Sequence, residues 1–273
     1  MPNPQIAKTA KLIMLATTLS LSAFSLNAQA KLTSITTSDG TELVYSSVSD
    51  VTWTKDGNLL GTLFATKGFN NVVNAIIAAS PTISNTPNFY SPTSNYFLKA
   101  SDFSSNGQTT WFGAIAYINY LNKINYGGSN QWYLPSVANT SSGFNTRTNG
   151  KIKGDELAEL YYIELRSTGY LNPSGYIQPD FGIVDRDNSF KNEQLDIYWS
   201  STEYAPNPDG AWLFFNNFGR QFFNIKKLGF YAWAVTPGQV AAVPEPENVA
   251  LLLAGLGLMA GVVRRKQKLV PQA

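Results

Sequence analysis

Fifteen consecutive apolar residues, Val249 to Val263, run directly into Arg264, Arg265 and Lys266 near the C-terminus. As a helix they would rise about 1.5 Å each and span roughly 22 Å, short of the ~30 Å hydrocarbon core that a permanent anchor matches. Snorkelling of the basic side chains narrows that gap. The cations also fix orientation, because positive flanks stay cytoplasmic, so everything before Pro244 is expected across the membrane. A core helix would not be apolar all round and then stop on three consecutive cations. The folding part of the chain must therefore lie ahead of this segment.

The opposite end sets a second limit. Lys8 and Lys11 precede an apolar run from Leu12 to Leu26, and Ala28-Gln29-Ala30 offers small residues at a cleavage register. Residues 1–30 read as a secretory signal peptide with Ala28 and Ala30 flanking the cut, which makes Lys31 the mature N-terminus. The expected plan is a signal at 1–30, one domain at 31–242 and a tail at 243–268 containing the short helix 249–263. The exported part is long enough for one domain with its own core.

Charge changes sign once the ends are removed. The chain carries 20 cations and 18 acids. Two lysines belong to the signal and four cations to the tail, which leaves 14; Glu245 and Glu247 belong to the tail, which leaves 16 acids and a net charge of about −2. A weakly acidic surface argues against nucleic acid as a partner. The chain has no cysteine and no histidine. Its core must be stable by packing alone, and Ser-His-Asp triads, Cys-His dyads and the usual zinc ligand sets are excluded. Catalysis would rest on carboxylates, tyrosines or lysines, and a metal would be a hard, oxygen-ligated ion such as Ca²⁺.

Along the domain, Lys31 to Ser49 alternates apolar and polar residues around Asp39-Gly40, a hairpin signal. Val51 to Thr54 reads as a strand entering a turn at Asp56-Gly57-Asn58. Gly61 to Ala79 is ambiguous, although Val72, Val73, Ile76 and Ile77 have helical spacing. Thr110 is placed to cap a helix from Trp111 to Leu121, with Phe112, Ile115, Ile118 and Leu121 on one face. Trp132 to Pro135 reads as a short buried strand, and Asn139 to Gly154 as a polar loop. Asp155 and Glu156 open a second helix carrying Leu157, Leu160 and Tyr161, with Gly169 as its expected C-terminal stop. Strands are expected at Ile197–Glu203, Ala211–Phe215 and Phe230–Val235, with a hairpin turn at Asn216–Gly219 and a returning strand Arg220–Ile225. Two helices followed by an aromatic-rich antiparallel sheet make an α+β domain.

Two resemblances add to this. Pro244-Glu245-Pro246, the short apolar helix and Arg264-Arg265-Lys266 together resemble a PEP-CTERM sorting signal. Pro244 and Pro246 hold an extended backbone that a processing enzyme can grip. The resemblance implies an exosortase-type processing enzyme as partner and transient residence in the inner membrane. It also implies delivery to the cell surface or to an extracellular polysaccharide matrix, as in a biofilm. Further upstream, Val51-Thr52-Trp53-Thr54-Lys55-Asp56-Gly57-Asn58, Trp132-Tyr133-Leu134-Pro135, Tyr198-Trp199-Ser200-Ser201-Thr202 and Ala232-Trp233-Ala234-Val235 follow in the order of the Lcl C-terminal domain family. That resemblance implies a single C-type-lectin-like domain, an architecture shared broadly with the formylglycine-generating enzyme. The copper-binding cysteines of that enzyme are absent, so its activity does not carry over. The chain departs from the family pattern at Tyr133, where arginine is usual, and at Ala234–Pro237, where a basic ending is usual. Anionic-glycan binding, reported for one branch, is accordingly not carried over.

For a site, the sequence offers the segment after Ser200-Ser201-Thr202. Glu203, Asn207 and Asp209 place three oxygen-bearing side chains within seven residues, and Tyr204 adds an aromatic face for a sugar ring. Such a cluster could hold Ca²⁺ or be plain turn chemistry. Trp53, Trp132, Trp199, Trp212 and Trp233 read as core, and Asp185 and Asp187 around Arg186 as a solvated loop. Glu156, Glu159 and Glu164 read as the wet side of the second helix, and no carboxylate pair is placed for glycoside hydrolysis. The expectation is a non-catalytic exported protein, without a required cofactor, that binds carbohydrate or neighbouring surface proteins. The alternatives are a structural matrix protein with no discrete ligand, or a carboxylate-based carbohydrate-active enzyme.

Overall fold

Strand β1 (Leu32–Thr36) turns back into β2 (Glu42–Ser46) with Ile35 opposite Leu43. The turn forms where the sequence places it. Asp39 Oδ1 accepts from the Thr37 hydroxyl at 2.5 Å and from the Thr41 amide at 3.0 Å, and Gly40 takes a φ of +82°. A computed structural model describes residues 32–84, 86, 95–138, 143–144 and 154–242. The expected signal peptide with Ala28 and Ala30, the sorting residues Pro244, Glu245, Pro246, Arg264, Arg265 and Lys266, and most of the polar loop from Asn139 fall outside them. Among the described residues no helix is long and apolar enough to cross a membrane; the helix expected at 249–263 is not among them.

After β3 (Val51–Thr54) the buried Asp56 fixes the next turn. Its carboxylate accepts from the Asn58 amide at 2.9 Å and the Thr62 hydroxyl at 2.6 Å, while Asn58 Oδ1 caps the following helix at Gly61 N. That helix, α1 (Leu59–Lys67), stops at Gly68, whose φ of +87° excludes most side chains, and the chain restarts as α2 (Phe69–Ala79). The ambiguous stretch is thus two helices joined by one glycine. Phe64 and Phe69 meet edge to face across the joint at 4.8 Å. A ribbon of β4 (Thr82–Ile83) and β5 (Tyr96–Phe97) leads to α3 (Trp111–Lys123). Thr110 caps α3 by accepting from Gly113 N at 3.2 Å.

The expected second helix is shorter and differently wound. A single α turn, α4 (Glu156–Glu159), runs into a π turn at Leu160–Glu164, closed by Leu165 N on Leu160 O at 2.9 Å. Arg166, at φ +54°, ends it, and Gly169 does not. Glycine is needed at 169 for another reason: a Cβ there would meet the Tyr162 hydroxyl at 2.5 Å.

Among the described residues the strands form two four-stranded antiparallel sheets beside the ribbon. One runs β1-β2-β3-β10 (the last Val235–Pro237), and the other β6 (Gly143–Phe144), β9 (Arg220–Ile225), β8 (Gly210–Phe215) and β7 (Ile197–Glu203). The strand expected at Phe230–Val235 connects them instead. Tyr231 makes a parallel bridge to Tyr198 in one sheet, and the chain crosses to pair as β10 (Val235–Pro237) with β3 in the other. The architecture is α+β with more helix than the two foreseen. One core lies between α1, α2, α3 and the inner face of β7 and β8; the other joins α4 to both sheets around Trp53, Tyr198, Phe214 and Trp233. All five tryptophans read as core are buried.

Candidate functional site

The four candidate ligand residues end β7 and form the turn that follows it. They separate into two roles. Glu203 reaches inward, and its Oε2 pairs with Lys226 Nζ at 2.6 Å. The Lys226 side chain is 0% exposed; its ammonium also donates to Thr86 Oγ1 at 2.9 Å and lies 4.6 Å from the Trp111 ring centre. Burial pushes the lysine's pKa down, and the neighbouring Glu203 carboxylate opposes that shift. Glu203 is therefore a counter-ion to a buried lysine, with its side chain still 34% exposed. Tyr204 turns the other way. Its ring lies flat on Phe223, with centroids 3.6 Å apart and planes 4° from parallel, and both rings stand edge-on to the buried Trp212. Phe223 keeps 39% of its surface exposed, and Ile225 beside it 41%.

The turn itself is locked. Asn207 N donates to Tyr204 O, Gly210 N to Asn207 O, and Asp209 N to Asn207 Oδ1 at 3.1 Å. Asp209 contributes its carbonyl to Lys226 N at 2.7 Å. Asn207 thus sits on a rigid, exposed tip next in the chain to the Tyr204–Phe223 stack, with Asp209 half-buried at its base. Among the described residues no group of three or more Asp, Glu, His or Cys side chains is placed to hold a metal ion. Phe223 was not foreseen as a site residue, yet its register opposite Trp212 on the β8–β9 hairpin would have placed it on the same face.

The glutamates of the second helix are not its wet side. Glu156 and Glu159 are buried, because groups distant in sequence supply their hydrogen bonds. Glu156 accepts from the Tyr133 hydroxyl at 2.7 Å and from the Ser136 hydroxyl at 3.0 Å, as well as from the Ser136 amide. Glu159 accepts from the Ser49 hydroxyl at 2.8 Å and from Gly154 N at 2.9 Å. No lysine or arginine pairs with either among the described residues. Burial raises the Glu156 pKa against the pull of the Tyr133 and Ser136 donors. At Glu164 burial outweighs the Ser46 hydroxyl and the Val48 amide, and the pKa rises to about 7. Glu164, Arg166, Asp185, Arg186 and Asp187 border a cavity of about 300 Å³. Asp185 is not simply solvated, since its Oδ2 anchors the loop by accepting from Phe190 N at 2.7 Å.

The residues that most define the chain's pattern are the buried indoles and their hydrogen bonds. Trp199 of β7 donates to Thr109 O at 2.9 Å and Trp233 to Thr54 O of β3 at 2.8 Å, while Trp132 closes the turn after α3 by donating to Tyr126 O at 2.9 Å. A model of the Lcl C-terminal domain matches residues 42–236, a span that holds all three.

The chain belongs to the Lcl C-terminal domain family.

A PEP-CTERM protein-sorting motif matches residues 242–267 and marks an exported protein processed at the membrane by an exosortase. No curated protein and no solved structure matches the chain. The Lcl C-terminal domain pattern therefore coincides with a scaffold of indole-to-carbonyl bonds. At Tyr133 a neutral hydroxyl serves the Glu156 carboxylate and draws its pKa down against the effect of burial.

Proposed function

We propose that the mature protein is a non-catalytic binding module of the cell surface or extracellular matrix, lectin-like in fold, with carbohydrate as its ligand. The observation that carries this reading is the Tyr204–Phe223 stack, open to solvent on the Phe223 side and held rigid against Trp212. Aromatic rings already fixed by packing give a sugar face a platform with little side-chain entropy left to lose. The polar tip at Asn207, with Asp209 at its base, comes next in the chain, where sugar hydroxyls need partners. The non-catalytic part is supported by the direction of the carboxylates. Glu156 and Glu159 are turned into the protein and are saturated by its own donors, and Glu203 is engaged by Lys226.

Saturable binding to the producer's extracellular polysaccharide, measured on immobilised polymer, tests the reading. Phe223→Ala with Asn207→Ala should weaken binding at least tenfold while the protein still unfolds cooperatively, at a melting temperature lowered by the lost stack and turn bond. Full binding by that variant removes the site from this hairpin. Sugar release from the polymer by the wild-type protein would overturn the non-catalytic assignment.

A further inference from the structure

The sorting tail leaves the domain on a very short tether, and the point of exit is clamped. Thr52, in the middle of β3, donates its hydroxyl to Gly238 O at 2.7 Å and accepts from Val240 N at 3.3 Å. Beyond the Ala234 carbonyl that receives Thr54 N and the β10–β3 pairing, this clamp carries the fixed chain on to Val240. Pro244 follows four residues later and the apolar segment begins at Val249, nine residues later. Fully extended, those links reach no more than about 14 Å and 32 Å respectively. A domain of about 200 residues has a radius of gyration near 16 Å and is roughly 40 Å across. Until the tail is removed, a membrane-embedded enzyme that grips Pro244 works less than half a domain diameter from the folded surface. It cannot do so without touching that surface.

The surface at the exit has a consistent chemistry. A shallow cavity of about 380 Å³ is bordered by Thr37 and Ser38 of the β1–β2 turn, Gly127 and Gly128 after α3, and Val240, Ala241 and Ala242. None of these is charged, and most carry only a small side chain or none. Asp39, at the tip of the same turn, is the charge beside them; its carboxylate is engaged by Thr37 and Thr41. A bare, uncharged rim lets another protein come close to the backbone without desolvating ions.

We infer that this rim, Thr37–Ser38 with Gly127–Gly128 around Val240–Ala242, is the docking surface for the membrane-embedded processing enzyme. The Thr52 clamp fixes the chain as far as Val240, four residues ahead of the sorting motif. The rim then lies against the enzyme while the motif is gripped, and what it supplies is room for that close approach.

The experiment follows tail removal by intact-mass analysis in producing cells after a pulse of expression, using the full chain. Ser38→Trp, an exposed turn position, should slow removal at least fivefold while the melting temperature of the purified domain stays unchanged. Inserting twelve Gly/Ser residues after Ala242 in that variant should restore the rate, because the enzyme then no longer has to meet the rim. Unchanged removal in the folded Ser38→Trp protein overturns the docking surface, and so does failure of the insertion to restore the rate. Thr52→Val, which loses the clamp, should allow Ser38→Trp to be processed faster; if it does not, the clamp plays no part in presenting the motif.

Discussion

Lys226 and Glu203 are joined at 2.6 Å, with the lysine side chain wholly inside the protein and the glutamate side chain 34% exposed. The pair fastens β9 to the end of β7 beneath the Tyr204–Asp209 turn. Removing one partner strands a buried ammonium, and breaking a fully buried pair costs about 3–5 kcal/mol. Because Glu203 is partly screened by water, Glu203→Gln should cost less, about 2 kcal/mol. Lys226→Met together with Glu203→Gln should recover much of that loss. Urea midpoints of the two variants and the wild type test this, and a double variant weaker than Glu203→Gln alone would show that the ammonium stabilises by more than its charge.

The indole staples give a second expectation. Trp199 and Trp233 are fully buried, and each donates to a backbone carbonyl across the fold. Trp→Ala at either should cost about 3–5 kcal/mol. Trp→Phe should recover part of the packing and none of the hydrogen bond. Equilibrium unfolding of the purified domain measures both.

Glu164 makes stability depend on pH in the direction opposite to most acids. Its pKa is raised by burial from 4.5 to about 7. The protonated form is the one the fold favours, so its contribution is fully present below about pH 4.5 and is lost as pH rises through 7. The loss is on the order of 2–3 kcal/mol. Denaturation midpoints should therefore fall between pH 5 and pH 8 in the wild type, and Glu164→Gln should flatten that fall. Parallel pH profiles for the two proteins would show that Glu164 is not the group responsible.

Sorting gives the fourth. Replacing Arg264, Arg265 and Lys266 with neutral residues should leave unprocessed chain mislocalised, and the correctly exported protein should begin at Lys31. Fractionation followed by intact-mass analysis reads both, and unchanged sorting would mean the cations do not set topology.

Local chemistry made much of the fold legible: Asp39-Gly40, the Asp56 turn, the Thr110 cap and the β7 and β9 boundaries all stand where short-range signals put them. What escaped depends on partners far along the chain. Glu156 and Glu159 look like a solvated face because Tyr133, Ser136 and Ser49, which bury them, are invisible to helical periodicity. Gly169 resembles a helix stop, yet the π turn shifts the end to Arg166. Glu203 resembled a ligand for the same reason: its partner, Lys226, lies a whole hairpin away. The Tyr204 platform was half-legible, since its second ring belongs to another strand.

Strand β10 lies beside β3, so the first sheet is completed by residues 235–237, nearly the last of the domain to leave the cell. Trp53 and Trp233, whose rings meet at 5.2 Å, cannot come together before then. The first sheet and its indole pair are therefore withheld until residue 237 is available, so the domain closes late, next to its own sorting motif.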